Sequence, residues 1–158
     1  MPQMHNYTYD ELTIGQTATY SKRIEARDIQ LFAALSGDVN PVHLDPAFAA
    51  GTPFKECIAH GMLSGAIISA AIAMELPGPG SIYLAQSLRF RLPVKIGDTI
   101  TVHLEVTEKK DRRNTVTLDC KVLNQADKLV LTGTAEVMAP TEKLQLPRPA
   151  LPLVQVEP

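Results

Sequence analysis

The sequence contains one long segment without a charged side chain, and this segment restricts the fold more than any other feature. Residues 57–74 include no Asp, Glu, Lys or Arg over 18 positions, close to the lower length limit of a membrane span. Polar and small residues shorten its continuous apolar part: His60, Gly61, Ser64, Gly65 and Ser69. Alanines between Met62 and Leu76 would make a helix here thin and apolar on all sides. Such a helix fits inside a soluble core, where a sheet can enclose it closely.

A change of period marks where that sheet begins. The apolar helix is predicted over 61–75, and Pro77-Gly78-Pro79-Gly80 ends it. From Ser81 onward, apolar and polar residues alternate, which is typical of strands with one buried and one solvated face. The alternation predicts four successive strands, at 82–94, 99–108, 115–123 and 129–137. In the first of them, the even positions from Ile82 to Val94 form the apolar face.

Upstream of the helix the pattern is mixed. Residues 16–24 predict a first strand, and residues 27–36 predict a short helix with apolar residues at helical spacing. The whole order indicates a two-layer α+β domain, in which an antiparallel sheet wraps around a central buried helix. A chain of 158 residues is the size of one domain, which we expect over 1–143. Residues 144–158 are rich in proline and predict an irregular C-terminal tail.

Charge and composition exclude several classes of function. Fifteen Lys and Arg against 17 Asp and Glu give a formal net charge of −2, whereas proteins that bind nucleic acid or a membrane surface are usually basic. Four Tyr, four Phe and no Trp leave little material for stacking on bases. The N-terminus has no basic region followed by an apolar stretch, so no signal peptide is visible. We therefore expect a soluble cytoplasmic protein that binds neither nucleic acid nor membrane.

The densest cluster of polar residues is segment 36–45 (SGDVNPVHLD), between two predicted helical pieces. Loops in such places present reactive groups on a rigid scaffold. Asp38 and His43 are five positions apart across a turn that contains Asn-Pro. A carboxylate and an imidazole that converge can hold a water and exchange protons with it near neutral pH. The same residues also fit a structural role, in which Asp38 and Asn40 cap turns and His43 is a surface residue.

A second feature is Gly61, within the segment AHGML at the start of the apolar helix. A glycine there offers an unpaired N–H at the positive end of the helix dipole, which is what a developing oxyanion needs. It could equally serve only to bring the helix close to the sheet.

Two other chemistries have weaker support. A metal site built from His43, Asp45 and His60 matches no compact ligand motif. Cys57 could be a nucleophile assisted by His60, but a cysteine in such a segment is more often a small core residue. Neither a dinucleotide-binding motif nor a P-loop is present.

These motifs together, in this order, resemble the MaoC-type (R)-specific enoyl-CoA hydratases of the hot-dog fold. The resemblance is carried by segments 32–45 (FAALSGDVNPVHLD) and 59–63 (AHGML), and by GSIYL, SLRFRLPV and GD between residues 80 and 98. It covers roughly residues 14–140. It is closest to the small bacterial hydratases that supply (R)-3-hydroxyacyl-CoA from fatty-acid β-oxidation to polyhydroxyalkanoate synthesis.

The resemblance implies a set of site residues. They are the catalytic pair Asp38 and His43, Gly61 as the oxyanion donor, Asn40 and Ser69 as residues that order the site, and Ile72 and Val137 beside the acyl tail. It also implies trans-2-enoyl-CoA as substrate, no metal or other cofactor, and a homodimer with the site near the interface.

Two alternatives remain open at this point. Another hot-dog acyl-thioester enzyme, a 3-hydroxyacyl-carrier-protein dehydratase or an acyl-CoA thioesterase, would use a similar scaffold. A non-catalytic acyl-CoA-binding subunit should lack an intact acid–base pair, whereas Asp38 and His43 are both present. The sequence leaves open which of the two is the base, which acyl chain length is preferred, and which basic residues hold the CoA phosphates.

Overall fold

A computed structural model describes residues 1–157 and contains seven strands and four α-helices within them. The strands are β1 (Gln3–His5), β2 (Thr17–Arg23), β3 (Ile82–Phe90), β4 (Thr99–Lys110), β5 (Thr115–Leu123), β6 (Leu129–Met138) and β7 (Gln145–Pro147). The helices are α1 (Ala26–Ser36), α2 (Pro41–Leu44), α3 (Pro46–Ala50) and α4 (Gly61–Met74). Five of the strands form one antiparallel sheet in the order β2-β4-β5-β6-β3.

Helix α4 lies against this sheet and forms the centre of the core. It packs on β2 and β4, and Ile68 and Ala71 of the helix are completely buried. The strands contribute every second residue to the same core, as in Ile100, Val102, Leu104 and Val106 of β4. The predicted α+β hot-dog arrangement, a sheet around a buried helix, is therefore confirmed. No helix of residues 1–157 has the length and apolar character needed to cross a membrane.

Strand β3 differs from its prediction. It ends at Phe90 rather than at Val94, and none of its side chains is fully buried in the chain. Ile82, on the expected apolar face, is 55% exposed. Two features explain the difference: β3 is an edge strand that pairs only with β6, and the register shifts between Tyr83 and Ala85, which breaks the strict alternation. One edge of the sheet is therefore apolar and open.

The Pro-rich tail is not irregular throughout, contrary to the sequence-based expectation. Residues Gln145–Pro147 form β7, which pairs with β1 at the N-terminus. Asn6 fixes this arrangement, because its buried side chain donates to the carbonyls of Pro79 and Glu142 and accepts from the Leu144 N–H. The alternation rule missed both strands because three residues are too few to establish a period.

Candidate active site

The loop after α1 is shaped by hydrogen bonds from backbone to side chain. Helix α1 ends at Gly37, whose φ of 81° is readily available to glycine. Asp38 Oδ1 then accepts from the Asn40 N–H at 3.1 Å, and Asn40 Oδ1 accepts from the Val42 N–H at 3.2 Å. Asn40 is thereby the N-cap of α2, with Pro41 at its first position. These bonds use only Oδ1 of Asp38, so Oδ2 remains free to act on other groups.

His43 on α2 faces this free oxygen. Its Nδ1 lies 2.7 Å from the carbonyl oxygen of Ile58, and a carbonyl only accepts, so Nδ1 carries the proton. In the neutral imidazole Nε2 is then the unprotonated acceptor, and it lies 3.9 Å from Asp38 Oδ2. The His43 side chain is only 11% exposed, so the alternative that it is a surface residue is wrong. The structure brings Asp38 and His43 together with two acceptor atoms facing each other.

Gly61 is the first residue of α4 and directly follows His60. The ring of His60 stacks on that of His43, with the ring centroids 3.9 Å apart. The Gly61 N–H cannot bond within the helix and has no acceptor among the described residues. A Cβ at this position would lie 3.0 Å from Cε1 of Phe90. The glycine therefore permits close approach of an aromatic ring and also leaves a free donor at the positive end of the helix.

An open groove of about 480 Å³ lies between α4 and β3. Phe32 joins the two regions, since it lines the groove and contacts the ring of His60 at 4.9 Å. The other lining residues are Met62, Gly65, Ala66, Tyr83, Leu84, Ala85, Gln86 and Leu88. The Tyr83 hydroxyl donates to Gln86 Oε1, and burial raises the pKa of Tyr83 to about 12. The groove is thus mainly apolar, with one internally paired polar group.

The remaining residues implied by the resemblance lie farther along the helix and in the core. Ser69 is half-buried on α4, about 12 Å along the helix axis from Gly61 at the usual rise per residue. Its hydroxyl has no hydrogen bond to any described residue. Ile72 and Val137 are both buried in the core, and neither lines the groove. Their roles stay predictions.

The alternative chemistries fit the geometry less well. Ligand atoms of Asp38, His43 and His60 lie within 4.8 Å of one another, a spacing that could hold a metal ion. However, His60 Nε2 is 3.0 Å from the Asp38 carbonyl oxygen and therefore carries a proton, so a metal would have to break this bond. Asp45 instead caps α3 by accepting from the N–H groups of Ala47 and Phe48.

Cys57 does not have the surroundings of a reactive thiol. It is buried, and burial, followed by the negative charges of Asp45 and Glu56, raises its pKa. A nucleophilic cysteine needs the opposite, a lowered pKa that populates the thiolate.

Sequence reasoning missed the part that His60 plays in this arrangement. The sequence motifs suggest His60 only as a metal ligand or as a partner of Cys57, whereas in the structure it contacts both Asp38 and His43. The available signal was a histidine at the start of a helix that is otherwise apolar on all sides. Such a side chain must be buried, and a buried imidazole requires hydrogen-bond partners.

Comparisons with known proteins identify the family of this chain. The family model of the MaoC like domain matches residues 10–126. The (R)-specific enoyl-CoA hydratase of Aeromonas caviae is 48% identical over 129 residues, which cover 82% of this chain and 96% of the relative. Its solved structure, described as an (R)-hydratase involved in PHA biosynthesis, superposes with a TM-score of 0.79 over 82% of this chain and 98% of that one. The unliganded R-hydratase PhaJ1 from Pseudomonas aeruginosa is 58% identical with a TM-score of 0.94, covering 99% of this chain and all of the other. The chain therefore belongs to the MaoC-like domain family.

Proposed function

We propose that this protein is an (R)-specific enoyl-CoA hydratase, a hydro-lyase that adds water to trans-2-enoyl-CoA and gives (R)-3-hydroxyacyl-CoA. Its product supplies polyhydroxyalkanoate synthesis from fatty-acid β-oxidation. The observation that carries the proposal is the pair of acceptors, Asp38 Oδ2 and His43 Nε2, that face each other at 3.9 Å. The (R) specificity and the link to polyhydroxyalkanoates rest on the likeness to the relatives named above.

The separation of the two acceptors suits one water molecule. If a water oxygen lay about 2.8 Å from each acceptor, an ordinary hydrogen-bond length, the angle between the two acceptors at that oxygen would be about 90°. This is close to the angle between the two O–H bonds of water. It would donate one proton to Asp38 and the other to His43, which turns its oxygen lone pairs toward the substrate. A pair with one donor and one acceptor could not orient water in this way.

The addition then needs no redox step. In a trans-2-enoyl thioester the β-carbon is electrophilic through conjugation with the carbonyl group. The water oxygen bonds to this carbon while one of its protons passes to the Asp38–His43 pair. The carbonyl oxygen gains negative charge, which the free N–H of Gly61 stabilises. The pair returns its proton to the α-carbon, so one C–O and one C–H bond form and the C=C double bond becomes single.

We place the acyl chain between α4 and the sheet. The groove beside Phe32 is apolar, and Phe32 links it to His60, whose ring stacks on His43, so a short acyl chain could lie there with its reacting end toward the Asp38–His43 pair. Ile72 and Val137 lie in the core between the same helix and sheet, where a longer chain would reach them. Asn40 orders the loop through its cap of α2. Ser69 would order the site from α4.

Hydration of crotonyl-CoA by the purified protein tests the proposal. The absorbance of the conjugated enoyl thioester should fall with no release of free thiol, and chiral analysis should find only (R)-3-hydroxybutyryl-CoA. Release of CoA thiol would make the protein a thioesterase instead. A product of (S) configuration, or no hydration of crotonyl-CoA and of a series of longer trans-2-enoyl-CoAs, would also contradict the proposal.

We propose further that the protein is a cytoplasmic homodimer, joined through the β3 edge. The two edges of the sheet differ in character. β2 presents Lys22 and Arg23 near its end, which discourage pairing, whereas β3 exposes Ile82, Tyr83 and Phe90. A second copy of this chain would cover these side chains and close the open side of the groove. Sedimentation at micromolar concentration should find two-chain particles; one-chain particles with full hydratase activity would refute the shared interface.

A further inference from the structure

His60 is an imidazole of the site that the addition of water does not use. It precedes Gly61 as the N-cap of α4, and its side chain is 3% exposed. A buried imidazole is costly unless its polar atoms have partners. The partners of its two nitrogens therefore indicate why it is there.

One nitrogen of His60 is committed to Asp38. Nε2 lies 3.0 Å from the Asp38 carbonyl oxygen, so Nε2 is the donor of this hydrogen bond. The same nitrogen lies 4.0 Å from the Asp38 Oδ2 that faces the reaction. Nδ1 is buried and has no hydrogen-bond partner among the described residues. Among residues 1–157, the loop that carries Asp38 is therefore the only polar anchor of this ring.

One face of the His60 ring packs against His43. The two imidazoles stack with their centroids 3.9 Å apart and their planes 27° from parallel. Phe32 contacts the His60 ring in a tilted arrangement at 4.9 Å. His43 is thus held by its hydrogen bond to Ile58 at one nitrogen and by the His60 ring against its face. Together these contacts fix the direction of its free Nε2.

We propose that His60 is a positioning residue that sets the distance between the two catalytic acceptors. Its N–H holds the backbone of Asp38, and its ring supports His43, so that Oδ2 and Nε2 stay at a separation that one water bridges. This inference rests on the proposed hydratase function. It assigns His60 no proton transfer and no contact with substrate. Loss of His60 should therefore lower kcat and leave KM nearly unchanged.

Three substitutions at His60 distinguish the effect of its hydrogen bond to Asp38 from the effect of its size. In His60→Gln the amide nitrogen can reach the place of Nε2 and keep the donor to Asp38. In His60→Asn the amide nitrogen falls near the place of Nδ1, too short for that carbonyl. His60→Leu fills much of the space with no donor. Because small misplacements of reacting groups can cost about 100-fold in rate, we expect kcat to fall roughly 10- to 100-fold for Asn and Leu, but only a few-fold for Gln.

Crotonyl-CoA kinetics with each variant give kcat and KM, and circular dichroism melting reports whether the variant folds. Recovery of kcat by Gln relative to Asn, with KM within about twofold throughout, is the expected result. Equal kcat values for Gln and Asn, or a change in KM in place of kcat, would overturn the proposal. If the Leu variant does not fold, the comparison between Gln and Asn still decides.

A measurement independent of activity tests the geometry. The chain has four histidines, so their side-chain nitrogens can be assigned by nuclear magnetic resonance of the ¹⁵N-labelled protein and single variants. We expect the Nε2–H form for His60 and the Nδ1–H form for His43. The Nδ1–H form at His60 would overturn the positioning role. Wild-type protein with the expected forms but without hydration of enoyl-CoA would instead overturn the proposed function.

Discussion

Asp38→Asn should remove catalysis without removing the loop. Oδ1 of Asp38 accepts from the Asn40 N–H, so an asparagine must turn its oxygen to that donor to keep the turn. Its NH₂ group then occupies the place of Oδ2, 3.9 Å from the unprotonated Nε2 of His43. One of the two acceptors becomes a donor, and a water can no longer give a proton to each side. The size of the side chain is unchanged.

The expected magnitudes for activity and stability therefore differ widely. Loss of a general acid–base group typically costs 10²- to 10⁴-fold, or about 2.7–5.4 kcal/mol in the activation free energy. The Asp38 side chain is 50% exposed and keeps its turn, so the free energy of unfolding should change by no more than about 0.5 kcal/mol. Initial rates with crotonyl-CoA and urea unfolding curves measure the two quantities on the same preparation.

Asp45→Asn is the matched control, seven positions along the same segment. Asp45 accepts from the N–H groups of Ala47 and Phe48 as the N-cap of α3, and asparagine is an equally good cap. This variant should keep both its stability and its kcat within about twofold. Folded Asp38→Asn protein with more than about a tenth of the wild-type kcat would refute the two-acceptor mechanism. So would an equal loss in both variants.

Three further predictions concern the acyl pocket, the N–H of Gly61 and the dependence of stability on pH. Ile72→Ala and Val137→Ala should each shift the preference toward longer enoyl-CoAs, measured as kcat/KM over a series of chain lengths; unchanged profiles in both would place the acyl tail elsewhere. Gly61→Pro removes the N–H at a helix position that accepts proline, whereas Gly61→Ala adds a Cβ and keeps the N–H. If this N–H binds the oxyanion, kcat of the Pro variant should be roughly 10²- to 10³-fold lower than kcat of the Ala variant. Equal rates would exclude that role. Burial raises the pKa of Cys120 to about 11 and that of Tyr83 to about 12, so folding favours the neutral forms of both groups. The free energy of unfolding should therefore fall as the pH rises from about 9 toward 12. A constant free energy of unfolding in urea over this pH range would contradict those shifts.

Sequence patterns predicted the elements whose environment is the same along their whole length. Helix α4 begins at the predicted Gly61 and ends one residue before the predicted end, because its apolar residues either enter the core, as Ile68 and Ala71 do, or line the apolar groove, as Met62 and Ala66 do. Strand β5 lies in the middle of the sheet and has the predicted bounds, 115–123, with every second residue buried. In such elements burial alone selects the residue types, so the hydrophobic pattern of the sequence is sufficient to predict their bounds.

The pattern failed where local geometry or distant contacts decide. The shift of register after Tyr83 and the edge position of β3 leave its apolar residues exposed in the single chain. Alternation cannot distinguish a strand whose apolar face enters the core of the chain from one whose apolar face stays exposed. The pairing of β1 with β7 depends on Asn6, whose partners Pro79, Glu142 and Leu144 lie more than 70 positions away. No local pattern carries that information.

The loop that carries Asp38 shows why a structural and a functional interpretation of the same residues need not exclude each other. The sequence allowed Asp38 to be either a turn cap or a catalytic group, and in the structure one carboxylate oxygen makes the turn bond while the other stays available for the proposed reaction. Oδ1 closes the turn with Asn40, and this bond is what aims Oδ2 at His43. A serine or asparagine at this position could still close the turn, but only a carboxylate closes it and leaves a second acceptor. The chemistry of the site thus selects the aspartate from among the residues that the turn alone would accept.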